Sequence, residues 1–434
     1  MKPSFTLLVM VFILGAAARA QVVPATTGPA STAGLPVSGT LRYDLRYTQT
    51  AQFYGGSQGD SQSSVVSGDL IYANSSHRRP FTLTYSGGDM WNITGGSGGT
   101  GVFQHLSASQ GIVGRKWILN FGDNIGYMPQ TPTTGFSGIP GVGDLPSQPT
   151  QPVQPVLTLN TRSVDNTANA NFSHSLGSAT ILSAGGSYTI LRFPDGNGLE
   201  DNQWQVNGQI TRRLNARNSV FAQYAYSRST YPGDTIAMDT QSALFGYTRT
   251  WSRRFTTSVS AGPEWDKITG IQIDVLGVII PLPPSTSSGL AVNASASYAV
   301  KLMTATLGYY QGTSGGAGVL QSFGTHNKDL NGSLSRQFGR DLTIGVSGAY
   351  MRTQALISGS ALQLGSVQSG ILTNGEYGGV SATRRLGRYI TVFANYTATE
   401  QSSSSALPTN VISGLSQVIG FGIGYSPRPM HLRK

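Results

Sequence analysis

Ser335-Arg336-Gln337-Phe338-Gly339-Arg340-Asp341-Leu342-Thr343 is a short basic turn with a strand-like run on each side. It returns as Thr383-Arg384-Arg385-Leu386-Gly387-Arg388-Tyr389-Ile390-Thr391, and in looser form earlier as Thr211-Arg212-Arg213-Leu214-Asn215-Ala216-Arg217-Asn218-Ser219. After the last copy Ile390, Val392, Ala394, Tyr396 and Ala398 alternate with Thr391, Asn395 and Thr397. After the copy before it Leu342, Ile344, Val346 and Tyr350 alternate with Thr343, Gly345 and Ser347. A period of two means strands with one apolar and one polar face. Short turns that return the same pattern mean antiparallel hairpins.

Working outward, the bulk composition suits such a repeat. Only 11 % of the residues are charged, against about 25 % in ordinary soluble domains. Hydrophobic residues make up only 38 %, and 56 residues are Gly. Few charges without many hydrophobes fits a barrel that is apolar outside and neutral and polar inside. There is no Cys, which excludes disulfides, thiolate catalysis and Cys-ligated zinc. The first residues read as a secretory signal: Lys2, an apolar run from Phe5 to Leu14, and Ala18-Arg19-Ala20 before Gln21. Segment 1–20 is thus expected to be a cleaved signal peptide and 21–36 a flexible periplasmic lead. Segment 37–426 is expected to form the barrel and 427–434 a basic tail.

Eight hairpin turns are expected near His77, Val113, Gly177, Asn215, Ser252, Lys301, Gly339 and Gly387. Arms of about ten residues would let tilted strands cross a bilayer. A first strand over Val37–Thr48 and a last over Ser413–Ser426 bring the count to about eighteen, with sixteen as the alternative. The connections at the other end are longer. The longest covers Ile125–Asn166, rich in Pro and with no strand, and another covers Asp266–Ser288. Charge sorts along the same axis: 16 of the 29 Lys and Arg fall in the short turns. Of the 19 acids, only Asp44, Asp69 and Asp341 are read as lying away from the long-loop end. The fold class is therefore all-β, a transmembrane antiparallel up-and-down barrel with short periplasmic turns and long extracellular loops.

With its signal sequence, its hairpin repeats and a final strand ending in Phe421, Ile423 and Tyr425, the chain resembles a bacterial outer-membrane porin-like β-barrel. In size it is similar to the eighteen-stranded barrels associated with exopolysaccharide export. The resemblance implies a place in the outer membrane among lipid and lipopolysaccharide, and insertion by the barrel assembly machinery. It implies passage of a polar solute or polysaccharide, and a third loop that folds inward. Here that loop is the Pro-rich Ile125–Asn166 segment, with Asp144 as the constriction candidate. One departure is the tail that follows Tyr425, since such barrels usually end on an aromatic residue.

Asn202-Gln203-Trp204-Gln205-Val206-Asn207-Gly208-Gln209-Ile210-Thr211 shows what the interior should be. Trp204, Val206 and Ile210 would face lipid, and Gln203, Gln205, Asn207 and Gln209 the lumen. Asn169, Asn171, Gln223 and Asn395 extend that candidate lining. Amides both donate and accept hydrogen bonds, so such a wall stays wet and can pair with hydroxyl-rich solutes. Phe221 and Phe393 have the lumen parity and are expected to pack on a folded-in loop. Arg212, Arg213, Arg336, Arg340, Arg384, Arg385 and Arg388 are expected to form a basic periplasmic rim, suited to anionic headgroups.

Chemistry-bearing clusters are sparse. His105 lies near Ser107 and Ser109, and His174 between Ser173 and Ser175. A Ser–His pair needs an orienting acid and an oxyanion site to be a nucleophile. Asp195–Asp201 lacks the terminal Glu of a calcium loop. No cofactor, metal or nucleic acid is implied, and the chain is not expected to be an enzyme. The expected function is a channel for polar solutes. The rivals are a structural or adhesive surface barrel with a plugged lumen, and a barrel enzyme acting on lipid or lipopolysaccharide.

Overall fold

The computed structural model describes residues 39–54, 60–74, 76–94, 101–130, 161–196, 199–233, 235–275, 278–281, 283–315, 323–356, 372–404 and 414–431. The expected signal peptide and periplasmic lead, and the constriction candidate Asp144, lie outside the described residues.

The strands are β1 (Thr40–Tyr54), β2 (Ser61–Asn74), β3 (Phe81–Thr94), β4 (Gly101–Val113), β5 (Trp117–Gln130), β6 (Thr161–Ser175) and β7 (Thr180–Arg192). They continue as β8 (Asp201–Arg213), β9 (Asn218–Thr230), β10 (Ala237–Ser252), β11 (Phe255–Thr269), β12 (Gln272–Val275), β13 (Val278–Pro281) and β14 (Ser285–Val300). The last are β15 (Met303–Ser314), β16 (Thr325–Phe338), β17 (Leu342–Ala355), β18 (Leu372–Leu386), β19 (Ile390–Ser403), β20 (Gly414–Tyr425) and β21 (Met430–His431). β12 and β13 form a small separate hairpin. The eighteen long strands form one antiparallel sheet, and β20 pairs with β1 from Leu45↔Tyr425 to Tyr54↔Ser416, closing it. The count is eighteen, not sixteen.

The eight short turns fall where the sequence put them and hold two to six residues each. Gly339 and Gly387 adopt φ of 65° and 76°, which is why both close copies of the turn carry Gly at the same place. The looser copy uses Asn215 instead. Its Oδ1 accepts from the amides of Arg217 and Asn218 at 2.9 and 3.0 Å, a side-chain substitute for a backbone turn.

Strand boundaries are where the sequence reading needs correction. The strands run to 12–16 residues rather than about ten. β5 reaches Gln130 and β6 starts at Thr161, so strand enters both ends of the segment expected to be all loop. β11 likewise continues to Thr269. Tilted strands outrun the apolar band, and their polar ends lack the alternation that marks them. Part of the tail also joins the sheet: Met430 and His431 pair with Leu41 and Thr40 of β1.

Every long strand exposes large apolar side chains on its outward face, among them Leu45, Val66, Tyr85, Val206, Phe245, Val346 and Phe421. Such a continuous apolar belt around a closed sheet is what a lipid bilayer stabilises, since closure satisfies every strand edge. Asp123 is an exception to the expected charge sorting. It sits mid-strand on β5 facing outward, and its Oδ1 accepts from Asn166 Nδ2 at 3.0 Å.

Candidate functional site: a polar lumen and an acidic outer throat

On β8 the inward residues Gln203, Gln205, Asn207 and Gln209 alternate with exposed Trp204, Val206 and Ile210. Register carries the same face across neighbouring strands. Gln205 pairs with Ser187 and Ser227, Asn207 with Gly185 and Ala225, and Gln209 with Ser183 and Gln223. Asn169 and Asn171 of β6 pair with Gly122 and Asn120 of β5, and with Ser187 and Gly185 of β7. Asn395 pairs with Ser381 and Gly420 on the far side of the barrel.

Glycine lets these long side chains lie flat on the wall. A Cβ on Gly185 would sit 2.5 and 2.6 Å from the amide oxygens of Asn171 and Asn207. One on Gly420 would sit 2.4 Å from Asn395 Oδ1. Phe221 and Phe393 follow the same rule, covering Gly246 and Gly422. They lie against the wall; the loop the sequence suggested for them lies outside the described residues. An aromatic ring over a strand glycine restores the packing that glycine lacks.

The seven rim arginines Arg212, Arg213, Arg336, Arg340, Arg384, Arg385 and Arg388 are all exposed at the short-turn end. Arg213 Nη2 donates to Ser178 O at 2.8 Å, and the Arg336 guanidinium stands 4.9 Å over the Phe338 ring. Just inside, Arg42 meets Asp44 and Arg46 meets Asp69, each at 3.4 Å.

At the opposite end, where the sequence put most of the acids, the inward face is acidic, a placement of particular residues that the sequence reading did not single out. Glu264 and Asp266 of β11 are buried on that face. Thr240 and Ser287, from the strands on either side, donate to Asp266 at 2.9 and 3.2 Å. Thr313 of β15 lies 2.6 Å from Glu264 Oε1 and 3.0 Å from Asp266 Oδ2. By the β14–β15–β16 register, Thr313 belongs to the outward face of its strand. It can reach the inward face of β11 only because the outer end of the β15–β16 hairpin leans into the barrel.

That leaning end reaches the outer ends of β8 and β9, five and four long strands away around the barrel. The Tyr231 hydroxyl donates to Gly315 O, and a Cβ on Gly315 would meet Ser229 Oγ and, at 3.3 Å, Asp201 Oδ2. Tyr231, Ile236, Met238, Ile268, Ile271 and Phe323 form a buried apolar cluster behind it, with Leu199 and Leu356 packed on. Burial and the nearby Asp201 carboxylate push the Tyr231 hydroxyl well above the usual tyrosine range. It therefore stays a donor at any ordinary pH. Among the described residues, the element that leans inward is thus the outer end of β15 and β16, with Gly315 and Phe323.

The histidine candidates separate. His174 stacks on Phe172, whose ring also lies 6.5 Å from that of Trp117, and it alternates with Ser173 and Ser175, so the strand puts them on opposite faces. His105 faces inward and interacts electrostatically with Asp165 across Gly126. Among the described residues no group of three His, Asp or Glu could hold a metal ion. Asp195 and Glu200 instead meet Arg162 and Arg192 at 3.8 and 3.4 Å.

A closed, apolar-belted barrel with a polar inner wall and basic short turns defines a transmembrane β-barrel of the outer-membrane type. No family model matches the chain, and no curated protein matches its sequence. Among solved structures it is similar to Pseudomonas aeruginosa OccK2 (OpdF), with 11 % identity, TM-score 0.45, and 91 % of this chain and 98 % of that one covered. It is similar to the FrpB iron transporter of Neisseria meningitidis, with 9 % identity, TM-score 0.46, and 91 % and 83 % covered. Acinetobacter baumannii OccAB3 matches with 10 % identity, TM-score 0.44, and 90 % and 99 % covered. At these values the likeness is one of general architecture and says nothing of solute.

Proposed function

We infer that the barrel is an outer-membrane channel for small polar solutes, with saccharides the class its wall suits best. The observation that carries this reading is the band of inward amides and hydroxyls on β5–β10. Gln203, Gln205, Asn207, Gln209, Asn169, Asn171 and Gln223 share that inward face, with the three asparagines lying over Gly122 and Gly185. An eighteen-stranded barrel is wide enough for an aqueous passage. Donors and acceptors on its wall exchange with those of water and sugar alike, so transit needs no chemical step. Single-channel conductance of the purified protein in a planar bilayer tests this, with neutral oligosaccharides added. Stable conductance that neutral sugars reduce supports the reading. Silence from protein shown to be folded by heat-modifiable gel mobility overturns it.

The second reading is a surface barrel with a plugged lumen. The apolar cluster of Tyr231, Met238, Ile268 and Phe323 at the outer end favours it. It predicts a folded barrel that never conducts.

A further inference from the structure

We propose that the acidic throat at the outer end is a binding site for small organic cations carrying primary ammonium groups, through which the channel prefers cationic solutes. This rests on the channel reading for its transport half only; the binding half stands on the site itself.

Three acids lie around one tyrosine. Tyr310 of β15 faces inward, and a Cβ on Gly312 would sit 2.7 Å from the Tyr310 hydroxyl and 3.2 Å from Glu264 Oε2. The hydroxyl and the carboxylate therefore both lie over that glycine. Asp329 of β16 is the register partner of Tyr310, so the two share the inward face. The charges of Glu264, Asp329 and Asp266 all reach the Tyr310 hydroxyl.

Asp266 and Glu264 have hydroxyl donors, but among the described residues Asp329 has none. Thr313 sits between Glu264 and Asp266 but carries one proton, so it donates to one carboxylate at a time. Asp329 is 5 % exposed, and among the described residues neither of its carboxylate oxygens has a hydrogen-bond partner. Asn327, two residues along the same face and 4 % exposed, likewise has no partner for its Oδ1 among the described residues. Buried acceptors left without donors are strongly destabilising, and for a carboxylate the effect is larger still.

The counter-charges are elsewhere. Among the described residues no Lys or Arg forms an ion pair with Glu264, Asp266 or Asp329. His326 and Lys328 lie on the other face of β16, and of these His326 interacts with Asp266. Lys267 is exposed on the outward side of β11. Arg192 is engaged by Glu200 and Asn202 at the rim.

A primary ammonium supplies what is missing: one positive charge and three N–H donors that can spread over several oxygens. The three acids do not form one compact set that could hold a metal ion, which favours a ligand with two separated charges. A diamine fits best, since the acids come from two separate strands, β11 and β16.

The test uses the full barrel in detergent, titrated calorimetrically with putrescine, with glucose and magnesium chloride as separate probes. The proposal expects putrescine to bind, glucose not to bind at the throat, and Asp329→Asn to weaken putrescine by about tenfold or more. Absence of putrescine binding, equal binding by a folded Asp329→Asn barrel, or magnesium binding in its place overturns it. Should Asp329→Asn fail to fold, the Glu264→Gln/Asp266→Asn double variant carries the same expectation. Reversal potentials across a potassium chloride gradient then separate the two readings. A conducting barrel without cation preference overturns the throat as a selector and leaves the channel standing. A silent barrel that still binds putrescine overturns the channel and leaves the site.

Discussion

Val206→Arg and Asn207→Arg differ by one position on β8 and should differ by kilocalories in stability. β8 has 13 residues. At about 3.3 Å per residue and a tilt of about 40°, it rises roughly 30 Å along the membrane normal. Val206 lies five residues from the outer end at Asp201, hence about 13 Å below it. That is near the middle of an apolar band about 25 Å tall. Its side chain is outward and 47 % exposed. An arginine facing lipid at that depth costs about 2–4 kcal/mol, which lowers the folding equilibrium roughly 30- to 900-fold. Asn207 points the other way, into the lumen, where an arginine stays hydrated. The change there should stay within about 0.5 kcal/mol. Urea titrations in thin-lipid vesicles, followed by tryptophan fluorescence, read both. Equal losses for the two variants would refute the assignment of faces on which the lumen depends.

Thr313→Val removes the hydroxyl between Glu264 and Asp266. Hydrogen bonds to charged groups are worth about 1.5–3 kcal/mol, so hydrogen exchange should quicken at residues 312–315 and 324–328 while the rest of the sheet stays protected. Gly270→Ala places a Cβ 1.9 Å from Thr235 O at a φ of 76°. It should destabilise the outer connections by about 1–3 kcal/mol, seen as a lower urea midpoint. Gln205→Trp should lower single-channel conductance, because its side chain enters the passage, whereas Val206→Trp should leave conductance unchanged.

The face assignment was legible in the sequence because a strand in a closed barrel has two environments and nothing between. Trp204 and Gln205 differ in polarity for the same reason that they differ in direction. The repeated turns were legible because Gly339 and Gly387 mark backbone that other residues avoid. The throat was not legible for two physical reasons. Glu264 and Asp266 stand at a strand end where alternation weakens, although exposed Trp265 between them was a usable signal of their parity. The lean of β15–β16 depends on contacts distant in sequence, Tyr231 to Gly315 and Thr313 to Glu264, which no local pattern encodes. The glycine beds under Asn171, Asn207 and Phe393 were hidden similarly, because register must be known before one strand's gap can be matched to its neighbour's side chain.

The seam between β20 and β1 sets the order in which the object can assemble. The other seventeen pairings of long strands join neighbours along the chain. Such local pairings form fast, while a pairing that spans the chain must wait, because closing a longer loop loses more entropy. The hairpins can therefore stack into an open, curled sheet before its two edges meet. On β20 the inward positions nearest the periplasmic end are Gly420, Gly422 and Gly424, which pair with Thr50, Thr48 and Arg46. Those glycines bring no inward side chain of their own to the closing edge, and Asn395 and Phe393 of β19 already lie over two of them. β21 then adds two further pairs beyond it, at Leu41 and Thr40, a clasp that fastens only after the ring is complete.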